Sequence, residues 1–112
     1  MEAALITRTA IFEGEATPEG METFFKGVAK RLAPIWRRMP YGNTVRVYRP
    51  HHHDDGSPPI VMIQEIDYPS AEAFDEAMKS PLRADARAVT GELLQLVKGR
   101  VYHVVSRRVE ND

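Results

Sequence analysis

Between residues 70 and 99, apolar side chains recur at helical spacing in two runs separated by a restart. In the first run Phe74, Ala77 and Met78 share a face behind Ser70, whose hydroxyl suits the free amides of a helix start. Lys79 closes that run. Ser80 and Pro81 open the next, a hydroxyl at the cap followed by a proline at the first helical position. From there Leu82, Ala86, Val89, Leu93 and Leu96 recur at steps of four, three, four and three, which draws one apolar stripe. Arg83, Asp85, Arg87, Glu92 and Lys98 fall to the opposite, solvent-facing side. Gly91 weakens the middle of the second run, and Gly99 predicts a left-handed stop just past its end.

A helix with one stripe must lie on something apolar, and the flanking segments supply it. Residues 3–12 mix β-branched and aromatic side chains on both alternating faces, the pattern of an interior strand. Thr17, Pro18 and Glu19 then give a cap, a first-turn proline and a first-turn acid. Met21, Phe24, Phe25, Val28 and Leu32 make the buried stripe of this first helix. Pro34 predicts an end or kink near Ala33, with Ile35 and Trp36 extending the apolar face for one more turn. Residues 44–49 alternate, Val45 and Val47 on one side and Arg46 and Tyr48 on the other, as a half-buried edge strand does. Turn chemistry without periodicity fills residues 50–59. Ile60–Tyr68 opens on a continuous apolar run and predicts a second interior strand, Arg100–Arg107 predicts a fourth strand, and residues 109–112 form a polar tail.

The order strand, helix, strand, strand, helix, strand predicts an α+β, ferredoxin-like domain spanning residues 1–112: a four-stranded antiparallel sheet with both helices on one face. The first and third strands read as apolar on both sides, so the face away from the helices needs a cover. A second copy packed sheet against sheet, a homodimer, is the simplest one.

Composition narrows the chemistry. The 112 residues include no cysteine, which removes disulfides, thiol nucleophiles and iron–sulfur ligation and fits a reducing, cytoplasmic setting. A formal charge of −1 with interspersed signs offers no basic stripe for nucleic acid, and the amino terminus matches neither a signal peptide nor a membrane span. Neither histidine-bearing helices for haem nor a phosphate-binding glycine loop is present, so no cofactor is expected.

The plan, together with the run from Phe74 through Met78, Ser80 and Pro81 to Gly99 and Tyr102, resembles the dimeric α/β-barrel superfamily and, within it, EthD-like proteins. Those proteins tend to carry a histidine before the proline near the end of the first helix; residues 32–36 have Pro34 and no histidine. The resemblance implies a dimer and a range of activities, including cofactor-independent monooxygenases, small isomerases, haem-degrading enzymes and ligand-sensing modules.

Two groups of residues could carry chemistry. His51, His52 and His53 with Asp54 and Asp55 could offer metal ligands, but adjacent ligands in a loop bounded by proline and glycine are not preorganised, and a solvated loop is expected. Arg8, Glu65 and His103 are ionisable residues inside apolar strands. Because a charge is costly in a dry helix-facing layer, all three are expected on the open face, joined by Arg46 and Tyr48. In such a cavity Glu65 or His103 can serve as the base, while Arg8 or Arg46 stabilises an enolate or phenolate and Tyr48 helps hold a small organic substrate. The alternatives are an intersubunit salt bridge of Glu65 with Arg8 or Arg46, an interface role for His103, and a ligand-binding or purely structural dimer.

Overall fold

The computed structural model describes residues 5–109; Ala3 and Ala4 of the first expected strand, and Glu110, Asn111 and Asp112 of the expected tail, lie outside them. Four strands form one antiparallel sheet in the order β2-β3-β1-β4. The central pair is β1 (Ile6–Glu13) and β3 (Ile60–Tyr68), as expected from their apolar content. The edges are β2 (Arg46–Tyr48) and β4 (Arg100–Arg107). The helices cover one face, giving the ferredoxin-like α+β plan. No helix among the described residues is long and apolar enough to cross a membrane.

Strand phase sets everything that follows. Ile6, Ala10 and Phe12 of β1, with Met62, Ile66 and Tyr68 of β3, are buried under the helices. With a side-chain period of two, Arg8 and Gln64 share that face. Thr7, Thr9 and Ile11 on β1, with Ile63, Glu65 and Asp67 on β3, therefore take the open face. The expected both-sided apolarity is thus only partial: the open face carries a threonine pair and two carboxylates beside its isoleucines.

The first helix shows how the chain absorbs Pro34. Thr17 caps α1 (Pro18–Gly27) by accepting a hydrogen bond from the Gly20 amide at 3.1 Å. Phe24, Val28, Leu32 and Trp36 are all buried, at strict steps of four. On an uninterrupted α-helix each such step drifts about 40° around the axis. A single π turn at Val28–Leu32, in which the Ala33 amide reaches back to the Val28 carbonyl, cancels that drift and keeps the four on one face. It also accommodates Pro34, which has no amide to donate. The apolar face then continues through α2 (Ala33–Arg38).

The broken helix is present as α3 (Ala71–Ala77) and α4 (Leu82–Leu94), followed by a 3-10 turn at Gln95–Val97. Ser70 caps α3 through the Ala73 amide at 3.1 Å, and the Ser80 hydroxyl accepts from Leu82 at 3.3 Å. The left-handed stop falls on Lys98 (φ 47°) and not on Gly99. Gly99 is needed for another reason: a Cβ there would strike the Glu13 carbonyl, so the chain passes close to β1 as it enters β4.

Candidate functional site: a cavity between the sheet and α4

Small residues facing each other leave a space. Ala10 on β1 lies beneath Ala86 on α4, and a cavity of about 300 Å³ opens there. Its apolar walls include Phe12, Trp36, Met39, Ile66 and Val101. Register lays out its floor in rungs. One rung runs Gln64, Ala10, His103 and the next Ile66, Arg8, Val105, so Arg8 and His103 are diagonal neighbours on adjacent strands. From above, Arg83, Arg87 and Thr90 descend one side of α4 at steps of four and three and close the wall.

The cavity is electrostatically one-sided. Arg8, Arg83 and Arg87 all line it, and among the described residues none of the three has a carboxylate at ion-pair distance. Arg83 donates instead to the Met78 carbonyl at 2.9 Å, which ties α4 to the end of α3. Burial, and then the charge of Arg83, hold the Arg8 guanidinium below its ordinary range. His103 is pushed down to about 4 by partial burial, followed by the positive field of Arg8, Arg83 and Arg87. Its ring is exposed at the β4 edge, where water moderates both effects. At neutral pH the imidazole is uncharged and can accept a proton. Burial also raises the Tyr68 phenol, which lies close enough to feel Arg8 and Arg83.

Gln64 completes the floor. It is 4% exposed, lines the cavity, and its amide has no side-chain hydrogen-bond partner among the described residues. No buried side-chain polar atom among the described residues is left without a partner, so the Gln64 amide is open to the cavity, where it can meet water or a polar ligand atom.

Register divides the five residues that the sequence groups together. His103 and Arg8 enter the cavity; Glu65, Arg46 and Tyr48 stand on the opposite face of the sheet. The expectation failed at Arg8 and His103 because it took the helix layer to be dry, whereas Ala10 and Ala86 leave it hollow. On the open face Arg46 bridges Asp67 at 2.8 Å and Glu65 at 3.1 Å, and Asp67 also accepts from Thr7 at 2.8 Å. Arg46 holds the Asp67 carboxyl below its usual range, and Asp67 in turn keeps Arg46 firmly charged. Glu65 thus has its cation within its own chain. The adjacent rung is apolar across all four strands: Tyr48, Ile63, Ile11, Tyr102.

Gln64, Arg83 and Arg87 were missed by sequence reasoning. The readable signal was the row Arg83, Arg87, Thr90 running beside Ala86, charge flanking a small residue on an otherwise apolar stripe. In the loop, His51, His52 and His53 are exposed; His53 donates from Nε2 to the Ile60 carbonyl at 2.9 Å, and His52 lies 4.0 Å from Asp54. No three histidine or carboxylate side chains converge on a metal position among the described residues.

No protein-family model and no curated protein matches the sequence. Solved structures do match. An EthD-family protein from Bacillus halodurans superposes with a TM-score of 0.70 at 17% identity, over 94% of this chain and 99% of that one. A dimeric ferredoxin-like protein of unknown function from Thermobifida fusca gives 0.61 at 16% identity, over 95% and 92%. SnoaB, a cofactor-independent oxygenase from Streptomyces nogalater, gives 0.57 at 17% identity, over 97% of each chain. The chain therefore has the ferredoxin-like fold of EthD-family and dimeric ferredoxin-like proteins.

Proposed function

We propose that the cavity under α4 binds a small aromatic or enolisable organic molecule and that the protein acts on it by cofactor-independent proton transfer or oxygenation. The observation that carries this reading is an imidazole and a guanidinium on adjacent rungs of an apolar-walled cavity. His103 takes the proton from an acidic C–H or a phenolic O–H, and Arg8 stabilises the enolate or phenolate left behind. In an oxygenation that anion then meets dioxygen as co-substrate, and SnoaB supports that branch by fold alone. Glu65, Arg46 and Tyr48 belong in this account to a homodimer interface, where the apolar rung through Ile63 and Ile11 packs against a second copy.

A binding-only reading draws on a specific observation: with Glu65 turned away, the cavity holds one candidate base and no carboxylate. Exchange of a phenol's or 1,3-diketone's carbon-bound protons in deuterated buffer separates the two readings. His103→Ala should lose exchange while retaining binding. Equal exchange in wild type and variant would remove His103 as the base.

A further inference from the structure

The arginine cluster says more about the ligand than the imidazole does. Arginines in folded chains normally sit beside carboxylates or in open solvent, and Arg46, Arg31 and Arg49 of this chain do so. Arg8 and Arg83, both half-buried, have no carboxylate beside them among the described residues, and with Arg87 at the exposed rim they converge on one concave surface from two elements. Three like charges facing a partly apolar space repel one another, and the arrangement is relieved when an anion enters. The apolar walls, with Gln64 at the floor, limit that anion to an organic body of about one or two rings.

We propose that the ligand of this cavity carries a fixed carboxylate, seated at the mouth between Arg83 and Arg87, with its ring system inward against Trp36 and Ile66. This rests on the cavity being the ligand site, as proposed above. The orientation follows from exposure: Arg87 is exposed and Arg83 half-buried, both on α4, whereas Arg8 and Gln64 lie on the sheet. A carboxylate at the rim keeps part of its hydration and gains charge-assisted hydrogen bonds, while the same group on the floor would lose its water.

The charged groups facing His103 are Arg8 from β1 and Arg83 and Arg87 from α4; Tyr68 on β3 lies near Arg8 and Arg83. With three cations and no acid around it, the free imidazole is a weak base. An added negative charge offsets the field and raises its basicity, so the correct ligand strengthens the group that deprotonates it.

The test compares two probes of equal shape, 2-naphthoate and 2-naphthamide, by calorimetry and by NMR of the His103 ring at low ionic strength. Naphthoate should bind at least tenfold more tightly, lose affinity as salt rises, and move the His103 midpoint upward; the amide should do none of these. Arg87→Gln, at an exposed position without a partner among the described residues, should remove most of that preference. Arg83→Gln should remove more, provided circular dichroism shows that loss of its Met78 contact has not unfolded α3. If the amide binds as well as the acid and Ala86→Leu blocks both, the carboxylate proposal falls and the cavity reading stands. If neither probe binds at millimolar concentration, both fall.

Discussion

Filling the cavity from Ala86 is the perturbation whose effect can be worked from the structure before it is measured. Ala86 is 8% exposed, lies mid-helix, and its methyl group faces the space above Ala10. Leucine is nearly as good a helix former as alanine, so the backbone loses little. Three added carbons, buried at about 0.8 kcal/mol each, contribute about 2.4 kcal/mol. Fixing the leucine rotamer costs about 0.5–1 kcal/mol. Ala86→Leu should therefore be about 1–2 kcal/mol more stable than wild type, with Tm raised by about 4–8 °C for a domain of this size. Thermal and urea unfolding at one fixed protein concentration read this directly, the concentration being held because any self-association shifts Tm. A closely packed site behaves oppositely, since forcing extra methylenes into it costs about 1–3 kcal/mol. A destabilised Ala86→Leu would mean that the space between α4 and the sheet is not a cavity, and the site built on it would go with it.

Three further outcomes concern the rest of the molecule. Arg46→Met leaves Glu65 and Asp67 facing each other without a cation and should cost about 1–2 kcal/mol at pH 7, a figure already reduced for the partial exposure of the pairs. Because the folded Asp67 carboxyl is depressed, that contribution is present above the unfolded value of about 4 and fades as pH falls through the folded one; a pH-independent loss would point to packing instead. Light scattering should give a dimer for wild type and a monomer for the Ile11→Glu, Ile63→Glu double variant, and a monomeric wild type would require another cover for the Tyr48 to Tyr102 rung. Zinc titration should show no stoichiometric submicromolar site, whereas a tight site lost in His51→Ala, His53→Ala would put a metal in the histidine loop.

Much of the fold was legible because local signals agreed with one another. Thr17 and Ser70 cap where hydroxyls precede apolar periodicity, and Ile60–Tyr68 and Arg100–Arg107 begin and end where turn residues give way to β-branched runs. Strand phase was legible at β2, because Val47 and Tyr48 alternate cleanly. It was not legible at Arg8, where the cost of burying a charge argued outward while the neighbours Ile6, Ala10 and Phe12 argued inward. Packing decided the matter, and the small side chains of Ala10 and Ala86 made the charge tolerable. Arg83 and Arg87 read as a solvated helix face because one-dimensional periodicity separates stripe from surface but does not show where the layer beneath is hollow. Lys98 holds the left-handed position, and Gly99 sits where the backbone passes close to Glu13.

Adjacent residues of one strand report opposite faces, which makes the central claim directly measurable. NMR of the Ala10 and Ile11 methyl groups during titration with 2-naphthoate asks which side of β1 the ligand meets. The account predicts saturable shifts at Ala10, Ala86 and the His103 ring, with Ile11, Ile63 and the Glu65 neighbourhood unmoved. Shifts confined to Ile11 and Ile63, with Ala10 silent, would place the ligand on the open face and contradict the account.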